Sequence, residues 1–221
     1  MHTFDTPAPI TAALDIPGGI VRLVAAERAD TTVEVRPADP GRRHDAQAAE
    51  QTSVTCAKGV LRITTAAAQS RLLGPRGRLE VTVHLPAGSA LQGKAGAARL
   101  RATGPLGDID FEGAHRHTAI EEAASLRLSA VDGDVEVALL TGPARITTTR
   151  GDIRVTEAHR GTVTLNTQAG SITIGAATGA RAALSAGTGH GRITSSLRND
   201  GTTVLDIHAT THQGDITAHS L

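Results

Sequence analysis

Four aspartates recur at one position of a repeated motif, and acidic side chains at fixed spacing are the first candidates for chemistry. Ser171 and Arg192 take the same position in two further copies. Such a column suits a calcium ladder, a carboxylate pair that cleaves glycans, or turn-capping, in which each carboxylate accepts hydrogen bonds from backbone N–H groups. Calcium needs six to eight oxygen ligands, which one aspartate per turn does not supply. We therefore predict turn-capping, by Asp108, Asp134, Asp152 and Asp215.

Ten histidines offer possible metal ligands, most visibly in His115-x-His117 and in the pair His208 and His212. A zinc site needs three or four converging ligands. In a strand, the spacing from His208 to His212 spans ~13 Å, so these two rings would not meet. His190, His212 and His219 could cluster only at successive corners of a stack. We predict no metal site and place these histidines on the surface or in turns.

Two other features resemble reactive sites without their full signature. The glycine-rich segment Gly187–Gly191 lacks the following Lys-Ser/Thr and the helix of a phosphate-binding loop. Cys56 lies in the strand-like segment Val54-Thr55-Cys56, which favours a buried small side chain over a reactive thiol. We predict no catalytic residue and no cofactor.

The overall composition narrows the class of partner. The 221 residues carry a formal net charge of zero, so no basic field attracts nucleic acid. The only aromatic residues besides the histidines are Phe4 and Phe111, which disfavours stacking platforms for sugars or single-stranded nucleic acid. No apolar run is long enough for a membrane span, and the N-terminus does not read as a signal peptide. We expect a cytoplasmic protein.

The motif that contains the aspartates is an internal repeat. It reads apolar, any residue, apolar, four residues, glycine, any residue, then Ile or Val. The second apolar residue precedes the glycine by five positions in every copy, whereas the step between glycines varies from 18 to 26 residues. The copies run over residues 100–111, 126–137, 144–155, 163–174, 184–195 and 207–218.

Each copy reads as two half-buried strands joined at a corner. The alternation points Leu126, Leu128 and Val135 to one side and polar residues to the other. Glycine permits a positive φ at the corner, where a side chain would be strained. Small residues such as Thr148 and Thr167 precede the corner and suit a tight bend. We assign structural corner roles to Gly107, Gly133, Gly151, Gly170, Gly191 and Gly214.

One copy cannot bury its apolar face alone, so the repeat predicts stacking. We predict an all-β protein: a β-solenoid, of the single-stranded β-helix type, with about six two-strand repeats. A two-sheet sandwich or an irregular meander is the alternative. The repeated Gly-x-Ile register favours the solenoid, because a sandwich does not need one corner repeated in phase.

The N-terminal part is less regular. Thr11–Ile16, Pro17-Gly18-Gly19 and Ile20–Val24 read as a hairpin, and Val54–Cys56 with Val60–Ile63 reads as another. Further strands are predicted at 32–35 and 79–85, with loops at 38–50 and 66–78 and a helical turn near 45–50. We expect region 1–90 to extend or cap the stack formed by 91–221, within one continuous domain.

These motifs carry a family resemblance. The Pro-Gly-Gly turn, the sequence Leu-Pro-Ala-Gly-Ser at 85–89 and the repeated Gly-Asp-Ile/Val-x-Val resemble a bacterial family of β-strand-repeat proteins. That family is labelled "putative adhesin" and is defined as a domain of unknown function. The resemblance covers about residues 10–221. It implies a β-solenoid-like fold and no established enzymatic activity, and it supplies no functional residues.

The sequence therefore favours a non-enzymatic structural or protein-interaction scaffold. Its partner would be an unknown protein or a second copy, bound through a solenoid face or end. Outward positions on the second arms form a possible docking stripe: Asp110, Glu136, Arg154, Thr173, Thr194 and Thr217. The alternatives are a polysaccharide-binding adhesin and a carbohydrate-active β-helix enzyme.

Overall fold

The computed structural model describes residues 1–66, 77–199 and 201–221, and most of them form β-strands. Most of the loop predicted at 66–78 lies outside the described residues. The chain divides into two compact units, Met1–Ala114 and His115–Leu221. The sequence had placed a soft boundary near residue 90. The fold is the predicted all-β solenoid, in which strands stack in parallel between successive turns of the chain.

In its described residues, the first unit contains eight strands and one helix. They are β1 (His2–Asp5), β2 (Thr11–Ile16), β3 (Gly19–Ala26), β4 (Asp30–Pro37), α1 (Arg43–Glu50), β5 (Thr52–Ala57), β6 (Val60–Thr65), β7 (Leu79–Pro86) and β8 (Ala90–His115). Strand β8 is long enough to supply both arms of a turn. Its residues 90–95 pair with β2, and its residues 98–103 pair with β3.

Parallel pairing corrects the first predicted hairpin. Strands β2 and β3 do not form an antiparallel pair. Instead β2 lies between β6 and β8, and β3 lies between β7 and β8, all in parallel. The Gly18-Gly19 turn is therefore a corner between two arms of one rung, where a rung is a pair of consecutive strands stacked on equivalent pairs. Both glycines have positive φ, and a Cβ on Gly19 would lie 1.9 Å from the Leu79 oxygen.

The rung of β6 and β7 pairs in parallel with β2 and β3 on one side and with antiparallel strands on the other side. Strand β5 pairs with β6, as the second predicted hairpin requires, and β4 pairs with β7. Strand β1 then pairs with the far side of β4. Helix α1 contacts β4 and β7. Its buried Asp45 accepts backbone hydrogen bonds from Asp39 at 3.1 Å and Arg78 at 2.7 Å, so these elements form a cap.

Within the part of it that the structure describes, the second unit contains ten strands in two parallel sheets. They are β9 (Thr118–Asp132), β10 (Val135–Leu140), β11 (Ala144–Arg150), β12 (Ile153–Ala158), β13 (Gly161–Ala169), β14 (Ile172–Ala176), β15 (Ala182–His190), β16 (Ile193–Ser196), β17 (Leu205–Gln213) and β18 (Ile216–Ser220). One sheet runs β9, β11, β13, β17, β15. The other runs β9, β10, β12, β14, β18, β16.

The order of rungs differs from the order of the chain. The last copy of the repeat, β17 and β18, lies between the rung of β13 and β14 and the rung of β15 and β16. The penultimate copy is therefore the outermost rung of this unit. In the part of the chain that the structure describes, β15 pairs only with β17, and β16 pairs only with β18. We call β15 and β16 the open rung.

The core between the two sheets is aliphatic. The positions predicted to face inward, including Leu126, Leu128 and Val135, are buried, and the intervening polar residues are exposed. A column of β-branched residues follows the corner glycines in register, formed by Val135, Ile153, Ile172, Ile216 and Ile193. The first four are at most 1% exposed, whereas Ile193 in the open rung is 43% exposed.

Candidate interaction edge and corner column

Five of the six predicted corner glycines lie in one column of the second unit. Gly133, Gly151, Gly170, Gly214 and Gly191 follow one another in that stacking order, and each has a positive φ. The N–H of Gly170, for example, donates to the Gln213 oxygen at 2.8 Å in the next rung. A Cβ on Gly170 would lie 2.0 Å from the Gly151 oxygen, so this corner requires glycine for space as well as for conformation.

The residues after these glycines form a hydrogen-bond ladder between rungs. The carboxylate of Asp134 accepts from the N–H of Asp152 at 2.9 Å, and that of Asp152 accepts from the N–H of Ser171 at 2.7 Å. In the outer part of the stack, Asp215 accepts from the N–H of Arg192 at 2.8 Å. Each carboxylate thus holds the neighbouring rung. This arrangement uses the acids as structural acceptors along the stacking direction.

A second ladder, on the inner side of the corner, was not recognised from the sequence. The hydroxyl groups of Thr167, Thr211 and Thr188 donate to the carbonyl oxygens of corner glycines in neighbouring rungs, at 2.9 to 3.1 Å. Thr167 and Thr211 are almost fully buried. Threonine recurs in the sequence three residues before the glycine, and this recurrence could have indicated the ladder. The prediction used only the small size of these residues, which suits a tight bend.

The remaining predicted corner, at Gly107 and Asp108, belongs to the first unit. Gly107 lies within β8 and lacks the positive φ of the other five. A Cβ there would lie 2.6 Å from the Gly88 oxygen, so close approach still favours glycine. Gly88 itself is a corner that the sequence analysis missed. Val83 precedes Gly88 by the same five positions, but Ala90 replaces the Ile or Val of the motif.

The candidate metal and nucleophile residues remain dispersed. The rings of His190 and His212 lie edge to face with centroids 5.9 Å apart, and His208 contacts Asp206 instead. Among the described residues, no three histidine, cysteine or acidic side chains converge on a point that could hold a metal ion. Cys56 is half-buried in β5.

Arg28 and Asp30 form a half-buried ion pair at the start of β4. The guanidinium of Arg28 donates to both carboxylate oxygens of Asp30, at 3.0 and 2.9 Å. This hydrogen bonding from Arg28 lowers the pKa of Asp30 below its ordinary value of 3.8. The pair lies on the cap and fixes the entry to β4.

A polar recess lies on the outer face of the first unit. It has a volume of about 640 Å³ and is lined by residues of β6, β2 and β8. Lys94 lies 3.5 Å from Asp15, and Arg62, Asp110 and Glu112 complete a lining of mixed charge. The recess is a possible contact surface for a polar partner. Asp110, placed on the docking stripe by the sequence, is part of it.

The other five stripe residues follow the stack of the second unit. In rung order they are Glu136, Arg154, Thr173, Thr217 and Thr194. The charged members lie on inner rungs, and the hydroxyl members lie towards the open rung. The stripe is therefore not uniform, and its uncharged end adjoins the exposed edge of β16.

The open rung is the most exposed part of the second unit. All four residues of β16 are exposed, and Leu184 in β15 is only half-buried. The residues of the two strands and their corner carry a single formal charge, at Arg192. Sheet edges in natural proteins are commonly protected by charges, prolines or covering segments. In the described part of the chain, the devices at this edge are Arg192 and the segment around Arg198, whose oxygen accepts the N–H of Ala182 at the start of β15 at 3.1 Å.

A family model describes the same repeat. The model of the Toastrack family, DUF4097, matches residues 14–220. The chain belongs to the Toastrack family. The match includes the corner column and the open rung. No curated protein shows significant similarity to the chain.

One solved structure supports the assignment of the fold. A structure described as a "putative adhesin" from Bacteroides fragilis is similar to this Toastrack chain with a TM-score of 0.52 at 12% identity. The similarity covers 98% of this chain and 95% of that one. A "putative cell adhesion protein" from Clostridium sporogenes gives a TM-score of 0.46 at 10% identity, over 100% and 98% of the two chains. At these identities the likeness concerns the fold alone.

No helix in the described residues is both long and apolar enough to cross a lipid bilayer.

Proposed function

We propose that this Toastrack chain is a non-enzymatic interaction scaffold that binds another polypeptide by extending its stack at the open rung. The observation that carries the proposal is the pairing of β15 and β16, each of which, among the described residues, pairs with a strand on one side only. A strand edge with free N–H and C=O groups is a template for strand addition. The corner residues that could have suggested chemistry are engaged in hydrogen bonds between rungs.

Strand addition is tested with a displayed library of extended peptides and small β-hairpins against the full chain. We expect selected ligands to protect the amides of Ile193 and Ser195 from hydrogen exchange, because these lie on the free side of β16. Ligands that protect only amides of the first unit would contradict the proposal. Turnover of uronate polymers, assayed with and without calcium, would overturn its non-enzymatic part.

A second candidate function rests on the polar recess of the first unit. Its mixed lining could bind hydroxyl-rich polymers through hydrogen bonds, in keeping with the adhesin label of the related structure. A glycan array with the native chain and an Arg62→Ala, Lys94→Ala variant distinguishes this function. Glycan binding that both substitutions abolish would favour the adhesin role over strand addition.

The proposal includes a cytoplasmic location. The single cysteine excludes a disulfide within the chain and suits a reducing compartment without requiring one. Fractionation of the source cells followed by detection with an antibody tests it, and recovery at the cell surface would contradict it.

A further inference from the structure

In β15 the N–H of Ala182 donates to the Arg198 oxygen, whereas β16 has donor groups on its free side that reach no further rung in the described part of the chain. In each inner rung of the second sheet, the first core-facing residue donates its N–H to the next rung. Ile153 donates to Ser171 at 2.9 Å, Ile172 to Asp215 at 2.8 Å, and Ile216 to Arg192 at 2.9 Å. Ile193 has the same register but lies in the last rung. Its N–H, and that of Ser195 two residues on, therefore point away from the stack.

The side chains around this edge would not repel a closely packed partner. Ile193 is 43% exposed although it continues the buried isoleucine column, so its core-facing surface is incompletely covered. Val204, next to the inserted rung, is 49% exposed. Arg192 is the only formal charge in the open rung, and Asp215 lies beside its backbone. Two such edges could meet without strong repulsion between like charges.

The shape of the edge selects the kind of partner. The open rung ends in two strands, β15 and β16, on opposite sides of one aliphatic core. A single extended peptide can pair with one of them only, and would leave the core between the sheets uncovered. A second open rung presents two strands at the same separation with the same corner. The occupant that satisfies both edges at once is another copy of this chain.

Resting on the proposed function, we propose that two copies of the chain form a symmetric dimer through their open rungs. A two-fold axis across the end of a stack makes the paired strands antiparallel and closes the assembly at two subunits. Strand β15 has nine residues, a length of about 30 Å, and the two sheets lie about 10 Å apart, so the stack end offers about 300 Å² per copy. The total, about 600 Å², is smaller than a standard specific interface, so we expect a weak dimer that forms only at high protein concentration.

Sedimentation velocity on the full chain, from about 1 to 200 µM, tests the dimer. The wild-type protein is expected to shift from monomer to dimer across this range. Ser195→Pro removes an N–H that points to the free edge and breaks no bond within the stack, so it is expected to leave a folded monomer. Ser195→Ala, the matched control, is expected to dimerise like the wild type. A wild-type protein that stays monomeric at 200 µM would overturn the proposed dimer.

A second pair of variants covers the case in which proline disturbs folding. Thr194→Lys and Thr173→Lys place the same charge at equivalent outward positions, in the open rung and in an inner rung. We expect Thr194→Lys to weaken dimerisation at least tenfold, in a way that added salt partly reverses, because each copy then brings an additional positive charge to the paired edge. Thr173→Lys is expected to have little effect. Equal effects of the two would place the contact elsewhere and contradict the proposal.

The outcomes separate this inference from the proposed function. A monomeric protein whose Ile193 and Ser195 amides are protected by a library hairpin would refute self-association and retain strand addition. A dimer that persists in both Ser195→Pro and Thr194→Lys would refute pairing through the open rung. Dimerisation without any ligand binding at the edge would support the second copy as the natural occupant.

Discussion

The rung of β6 and β7 and the open rung are both built from the same kind of strand pair, but they differ in what covers them. Strands β5 and β4 cover the first by antiparallel pairing, and α1 adds a helix whose Asp45 ties the adjoining backbone. No equivalent segment in the described part of the chain covers β15 and β16. Ile63 is accordingly 0% exposed, whereas Ile193 is 43% exposed. The repeated motif forms the stack, whereas the segments that cover its capped end, β4, β5 and α1, do not follow the motif.

The strongest test of this contrast compares glycines in an inner rung and in the open rung. Gly170→Ala forces a side chain into positive φ and against the Gly151 oxygen, which we expect to cost about 4 kcal/mol or to prevent folding. Gly187→Ala, in β15, meets no atom within 4 Å and should change stability by less than about 1 kcal/mol. Urea unfolding of both variants measures the difference. Similar losses would show that β15 is as enclosed as β13.

The same substitution at the two end rungs gives a direct comparison. Ile63→Ala removes fully buried methyl groups under the cap and should cost about 3 kcal/mol. Ile193→Ala in the monomer should cost about 1 kcal/mol or less, because its side chain is already partly hydrated. Equilibrium unfolding at low protein concentration avoids dimerisation. If Ile193→Ala proves as costly as Ile63→Ala, the open rung is covered in solution.

The smallest expected effect concerns the aspartate ladder. Asp152→Ala removes an acceptor between two inner rungs and should cost about 1 kcal/mol, with Asp152→Asn retaining part of it. Asp215→Ala releases only the N–H of Arg192 in the open rung. We expect it to speed amide exchange in β16 with little change in global stability. Global destabilisation by Asp215→Ala equal to that of Asp152→Ala would contradict the contrast between inner and open rungs.

The sequence predicted most of the repeating architecture because local chemistry determines it. Glycine two residues before Val135, Ile153 or Ile172 requires one kind of corner wherever it occurs, and alternation specifies which residues face the core. The hairpin prediction at Pro17-Gly18-Gly19 was wrong because the same turn chemistry also suits a corner between parallel-stacked arms. What distinguishes them is pairing with residues 60–65 and 90–95, which are remote in sequence.

The candidate site could be predicted only in part. The sequence suggested that a terminal rung might accept a strand, but it could not say which rung is terminal. Ile172, Ile193 and Ile216 occupy the same motif position, so nothing local distinguishes the buried from the exposed. Their exposure depends on the insertion of β17 and β18 between the neighbouring rungs, which is a pairing between strands remote in sequence. The corner carboxylates were expected to accept hydrogen bonds within their own turns, yet their oxygens accept from N–H groups of the adjacent rung.

The insertion of β17 and β18 has a consequence for how the protein can be made. Residues 205–221 leave the ribosome after β15 and β16, yet they form an interior layer between those strands and the rung of β13 and β14. The second unit cannot therefore finish folding in the order in which it is synthesised. Until residues 205–221 emerge, β13 and β14 expose the edge that β17 and β18 later cover, and β15 and β16 lack their native neighbour. A stop codon between Ser196 and Leu205 would remove one rung by sequence and leave two without that neighbour.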